Sequence, residues 1–102
     1  MNFHRHKFRA KPTLCDGIKF PSIKEAKYYN ELKLRRAAGG VVFFLRQVPF
    51  HLPGGVKYVV DFVEFHGDGT VHFIDVKGMR TAMYKAKKKM VESLYPIEIE
   101  ER

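Results

Sequence analysis

Two carboxylates and a lysine are the residues of this chain best placed to do chemistry. Asp61 lies in the run "KYVVDFVEF", and Asp75 and Lys77 lie in "HFIDVKG". Both runs otherwise read as buried strands, and charges are rarely buried unless they are paired or bound to a cation. Side chains alternate along a strand. Asp75 and Lys77 therefore share a face with Phe73 and Val71, and Asp61 shares one with Val59, Val63 and Phe65. A hairpin loop of Gly67, Asp68 and Gly69, with Gly69 left-handed, pairs His66 with Thr70 and hence Asp61 with Asp75. Their Cβ atoms would then be about 5 Å apart. Opposed carboxylates repel, and a divalent cation between them removes the conflict, since Mg²⁺ takes oxygens from one or two carboxylates and keeps waters. Lys77 approaches the same spot. A loop of two or four residues would instead put the acids on opposite faces, and an Asp-x-Lys triplet alone is a weak signal. The metal reading rests on conjunction: an acid before the hairpin, Asp-x-Lys after it, consistent parity and a basic chain.

The surrounding elements must position these groups. In "PSIKEAKYYNELKLRRAAGG", Ser22 is a helix N-cap, Glu25 follows three positions on, and Gly39-Gly40 ends the helix, which is expected at about 22–38. Before it, "CDGIKF" reads as a turn at Asp16-Gly17 with short extended flanks. Strands are expected at about 41–48, 57–66 and 70–77. "TAMYKAKKKMVESLY" is a helix capped by Thr81 and stopped by Pro96, and "IEIEE" is a last short strand. The order α-β-β-β-α-β predicts an α/β fold with a mixed four-stranded sheet flanked by helices. The closing β-α-β crossover makes the last strand parallel to the third.

Length and composition bound the function. With 102 residues, 45% of them apolar and 14% aromatic, the chain reads as one globular domain, residues 1–102, with a basic arm at 1–12. Lys and Arg number 19 against 11 Asp and Glu, a formal net charge of +8. That charge implies a polyanionic partner, nucleic acid before an anionic membrane surface. The single Cys15 excludes an internal disulfide and fits a reducing cytoplasm. No stretch approaches the apolar length of a membrane span or a signal region. The five histidines show no zinc spacing supported by cysteine.

The element order, with Asp61 in the second strand and Asp75-Val76-Lys77 in the third, resembles the restriction-endonuclease-like core of the PD-(D/E)xK nuclease superfamily from Ser22 to Glu100. More closely, "DGIKFPSIKEAKYYNELK", "RQVPF", "DF" and "DVKG" with the Lys-rich helix resemble a family of short phage-encoded proteins placed in that superfamily. Archaeal Holliday-junction resolvases are more distantly similar. The resemblance implies that Asp61, Asp75 and the Val76 carbonyl hold Mg²⁺ or Mn²⁺. It implies that Lys77 orients or activates the attacking water, and that Glu25 is the acid many members carry on the first helix. Val60 stands where the superfamily motif has proline, a departure that members tolerate.

Supporting residues carry two readings each. Ser22-x-x-Glu25 is also a capping box, yet Glu25 lines up with Tyr29 and Leu32 on the sheet-facing side. Gln47 resembles a position near the site in relatives, and is otherwise a polar residue ending a strand. Tyr84 and Lys85 open the second helix, whose N-terminus favours anions, and Lys85 equally suits a solvated face. Lys85, Lys87, Lys88 and Lys89 form one basic band, and Arg5, Lys7, Arg9 and Lys11 form another on the arm. Both bands suit phosphate contacts without base reading.

The expected function is metal-dependent, endonucleolytic hydrolysis of DNA phosphodiesters on duplex or branched DNA in phage DNA metabolism, in the host cytoplasm. A homodimer is expected from the apolar run Val41–Leu45 and from the need for two sites to cut two strands. The rivals are a non-catalytic DNA-binding or scaffold module and an RNA-binding protein. Binding to duplex DNA should weaken with salt by a slope of about −0.9 in log K against log salt per phosphate neutralised. Removing the charges of Lys87, Lys88 and Lys89 should make the slope shallower. A titration with an unchanged slope places the footprint elsewhere.

Overall fold

The computed structural model describes residues 12–76 and 80–102. Lys77 and the basic arm with Arg5, Lys7, Arg9 and Lys11 lie outside the described residues. The chain forms strands β1 (Thr13–Cys15) and β2 (Ile18–Phe20), helix α1 (Ile23–Ala37), strands β3 (Val41–Leu52), β4 (Val56–His66) and β5 (Val71–Asp75), helix α2 (Ala82–Leu94) and strand β6 (Ile99–Glu101). The four longer-range strands make one mixed sheet in the order β3-β4-β5-β6. Its first three strands are antiparallel in sequence, and β6 runs parallel to β5. Among the described residues no helix is long and apolar enough to cross a membrane.

Local chemistry accounts for the turns. Asp16 and Gly17 both have positive φ, 53° and 75°, the requirement of a tight two-residue hairpin, and Cys15 pairs with Ile18 across it. Ser22 Oγ accepts the Glu25 N–H at 3.1 Å and starts α1, while Arg35 and Arg36 complement the helix dipole in its last turn. Between β4 and β5, Gly69 takes φ 90°. Its N–H donates to the His66 carbonyl at 3.0 Å, and the His66 N–H donates to the Thr70 carbonyl at 2.9 Å. The register that follows, Phe65 with Val71 down to Phe62 with Ile74, is the one expected from the three-residue loop.

The sheet separates two apolar clusters. On one side α1 and the β1–β2 hairpin pack Phe20, Tyr28, Tyr29 and Leu32 against Val41, Phe62, Ile74 and Val76. On the other, Val91 of α2 packs with Leu52, Tyr58, Val60, Val63 and Ile99. Burial of such side chains contributes about 1.5–3 kcal/mol each, so the two helices clamp the sheet from opposite faces.

Two elements differ from expectation. β3 runs on to Leu52, through Pro49, rather than stopping at 48. It is an edge strand, where the missing proline N–H is tolerated. β5 stops at Asp75, for a reason that belongs to the site.

Strict alternation also fails. Val60 and Phe62 should share a face, yet Val60 packs with the α2 cluster and Phe62 with the α1 cluster. The same exchange occurs on β3, where Phe44 packs on the α1 side and Val48 and Phe50 on the α2 side. The ladder stays in register on both sides of the break, Arg46 with Phe62 and Val48 with Val60. Between them Gln47 adopts a left-handed φ of 53°, a conformation uncommon for a non-glycine residue. The two strands therefore exchange faces at Gln47 and Asp61, and the expected grouping of Asp61 with Val59, Val63 and Phe65 does not carry across the break: Val63 and Phe65 pack on the α2 side, while Gln47 links Asp61 to Glu25 of α1.

Candidate carboxylate site

Beyond the Phe62–Ile74 pair, side chains replace the backbone ladder. The Asp61 N–H donates to Asp75 Oδ1 at 3.1 Å, and the Val76 N–H donates to Asp61 Oδ2 at 2.9 Å. Each carboxylate thus accepts a backbone amide of the facing strand just past the end of the β4–β5 ladder. Asp61 is 8% exposed and Asp75 is fully buried. Buried carboxylates require such donors, because leaving them unsatisfied costs far more than the bonds contribute net.

Each acid has a further donor from a different direction. Gln47 Nε2 donates to Asp61 Oδ1 at 3.3 Å and to Glu25 Oε2 at 3.3 Å. The left-handed backbone at Gln47 thus goes with a side chain that bridges the strand acid to the helix acid. Glu25 is 2% exposed and serves two ends at once: its N–H is capped by Ser22 and its carboxylate meets Gln47. On the other side, the Tyr58 hydroxyl donates to Asp75 Oδ2. Burial first, and then this bond, push the Tyr58 hydroxyl well above the ordinary tyrosine range, so it remains a donor at any physiological pH.

Glu25, Gln47, Asp61, Asp75 and Val76, all anticipated from sequence, therefore form one connected group. Tyr84 reaches that group through Tyr58: their rings stack with centroids 6.2 Å apart, their hydroxyls interact, and the Tyr84 hydroxyl also donates to Glu101 Oε2 at 2.8 Å. Among the described residues, no three His, Cys, Asp or Glu side chains are grouped to hold a metal ion. The oxygens that the geometry brings together are those of the Asp61 and Asp75 carboxylates.

The basic band on α2 divides. Lys85, Lys88 and Lys89 line a recess of about 260 Å³ with Arg80, Glu92 and Glu101. Lys87 instead joins Lys57 of β4 beside a separate cleft. Lys88 Nζ lies 3.6 Å from Glu101 Oε2, and Arg80 Nη1 lies 2.7 Å from Glu101 Oε1. The Tyr84 hydroxyl, followed by these cations, holds the Glu101 carboxyl below its usual range.

Sequence reasoning missed Tyr58 because it sits at an odd separation from Asp61, which strict alternation places on the opposite face. Only the exchange of faces brings it to Asp75. It also missed Glu64, 1% exposed, whose carboxylate takes the Tyr28 hydroxyl, Arg35 Nη2 at 3.2 Å and His66 Nε2 at 2.8 Å. Burial and then this carboxylate raise the Tyr28 hydroxyl above the ordinary range. Glu64 is a paired core acid on the α1 face, and the regular alternation Phe62, Glu64, His66 was the available signal.

The chain belongs to the DUF1064 family, described as a protein of unknown function, which it matches over residues 5–100. No curated protein and no solved structure matches it.

Tyr58→Phe removes one donor from a fully buried carboxylate and leaves the ring packing in place. Urea unfolding should show a loss of about 1–3 kcal/mol. A loss within about 0.5 kcal/mol, the usual range for inert surface positions, would mean that Asp75 does not depend on the hydroxyl.

Proposed function

We propose that this protein is a divalent-metal-dependent deoxyribonuclease of the PD-(D/E)xK kind, with a restriction-endonuclease-like core, cutting duplex or branched DNA in phage DNA metabolism. The observation that supports it most is the hydrogen-bonded chain that links three buried acids, Asp75, Asp61 and Glu25. Asp61 and Asp75 are held by each other's strands, and Gln47 connects Asp61 to Glu25. All three acids are buried in a chain of net charge +8, and buried acids that cluster are the kind of group that functional sites collect.

The donor set is all oxygen, which suits Mg²⁺ or Mn²⁺ rather than a soft metal. Each carboxylate oxygen that accepts one hydrogen bond retains another lone pair. Asp61, Asp75 and the Val76 carbonyl would hold the ion, which when bound polarises a phosphoryl oxygen and makes water a better nucleophile. The rest is the work of the chain. Tyr58 and the Asp61 amide orient Asp75. Gln47 and the Val76 amide orient Asp61. Lys77, outside the described residues, has the charge to stabilise the anionic transition state. Arg80, Lys85 and Lys89, with Arg5, Lys7, Arg9 and Lys11 of the arm, would bind backbone phosphates in the host cytoplasm.

Asp75→Asn should abolish Mg²⁺- or Mn²⁺-dependent cleavage of a labelled DNA while affinity changes less than about threefold, because phosphates are held by the cations and not by Asp75. Normal cleavage by that variant, with its melting curve cooperative, would eliminate the proposed site. Wild-type binding without cleavage would leave a non-catalytic DNA-binding module, and preferential RNA binding would favour the RNA reading.

The active form is proposed to be a homodimer, since one chain offers one such site. Val42, Phe43 and Leu45 on edge strand β3 are 60%, 42% and 41% exposed, an apolar strip of the kind that marks interfaces. Light scattering at micromolar protein should give twice the chain mass of 11.9 kDa. A mass of one chain across that range would remove the dimer.

A further inference from the structure

Below Asp61, among the described residues, β4 has no strand partner on the side away from β3. A cleft of about 370 Å³ opens there between β4 and the first turns of α2. Its apolar surface comes from Val59 of β4 and Met83 of α2, 37% and 68% exposed, beside the paired rings of Tyr58 and Tyr84. Lys57 from the strand and Lys87 from the helix stand among its lining residues. Tyr58 connects this cleft directly to the candidate site, because its hydroxyl donates to Asp75.

We infer that this cleft binds an unpaired nucleotide of the DNA strand next to the scissile duplex. This rests on the nuclease reading and narrows its substrate to DNA with a single-stranded branch or overhang. The chemistry follows from the lining. A base offers a flat apolar face, which matches tyrosine, methionine and valine. Its flanking phosphates offer negative charge, which matches lysines supplied from two different elements. Inside a duplex both faces of a base are already stacked, so an interior base pair cannot use such a wall, whereas an unpaired base can. A phosphate alone would need the lysines and leave the apolar surface exposed to water. An apolar ligand alone would leave the lysines without a counter-charge.

The lining also explains two features that the hydrolytic site does not use. Met83, at the start of α2, is exposed beside this cleft although it shares a helix face with Met90 and Leu94. Lys87 points to this cleft, while Lys85, Lys88 and Lys89 of the same helix line the other recess. One helix thus presents cations to two places, as needed if duplex phosphates and a departing strand leave in different directions.

The test uses the full chain in chelator, so that binding is read without cutting. Fluorescence anisotropy compares three labelled duplexes: blunt, with a short single-stranded overhang, and with the same overhang made of abasic nucleotides. The expected result is that the base-containing overhang binds about tenfold or more tightly than the abasic one, the scale of one or more bases stacked on aromatic side chains. Met83→Ser and Val59→Ser, both at exposed positions, should reduce that ratio toward one while blunt-duplex affinity stays unchanged. Equal affinity for the base-containing and abasic overhangs, with blunt duplex still bound, overturns this inference and leaves the nuclease reading standing. A ratio that survives both substitutions places the base elsewhere and also overturns it. Failure to bind any of the three DNAs overturns the nuclease reading itself.

Discussion

Everything in this molecule that bears on chemistry depends on one pair of hydrogen bonds at the end of a backbone ladder. Where the β4–β5 ladder ends past Phe62 and Ile74, the Asp61 and Asp75 carboxylates accept the amides of Val76 and Asp61. Hydrogen bonds to an ionised acceptor are roughly twice as strong as neutral ones, so the pair holds both strands. It also fixes the position of two acids that would otherwise repel. Stability and a charged, buried site are obtained from the same bonds. Taking an ion out of water still costs several kcal/mol even after relaxation. Further donors from Tyr58 and Gln47 offset that cost.

The exchange of strand faces at Gln47 and Asp61 makes these donors available. Above it, β4 turns its even residues to α1; below it, Tyr58 and Val60 turn to α2. A regular strand would have kept Tyr58 away from Asp75. The left-handed Gln47 backbone is sparsely populated for such a residue. It persists because the ladder is complete on both sides and because the side chain bridges Glu25 and Asp61. Local strain, a bridging amide and a buried tyrosine are parts of one arrangement.

Helices serve the site as well as the core. α1 brings Glu25 in at its first turn, where the Ser22 cap sets the entry of the chain. Glu25 therefore combines a helix-start role with a place in the carboxylate group, and the two readings of this residue are compatible. α2 closes the opposite face through Val91 and carries its lysines to two separate recesses. A band that is continuous along the sequence is divided in space, since helical positions three and four apart share a face and adjacent ones do not.

The sequence by itself determined the order of the elements, the hairpin register and the placing of Asp61 opposite Asp75. These follow from local causes: a Ser cap, a loop of set length ending in a left-handed glycine, and alternation over a few residues on either side of it. Glu25, Gln47 and Val76 entered through a family resemblance, and the structure joins them to the two aspartates by hydrogen bonds. Tertiary structure alone decided what surrounds that group. The course of β3 through Pro49 depended on its lying at a sheet edge. The arrival of Tyr58 at Asp75, the burial of Glu64 against Tyr28 and Arg35, and the division of the lysines depended on which faces meet. Such contacts join residues far apart in the chain, and a break in alternation at one position reverses every face beyond it. Periodicity read along a single strand carries no sign of that break, because its cause, a left-handed Gln47 held between two acids, is itself a product of the folded neighbourhood.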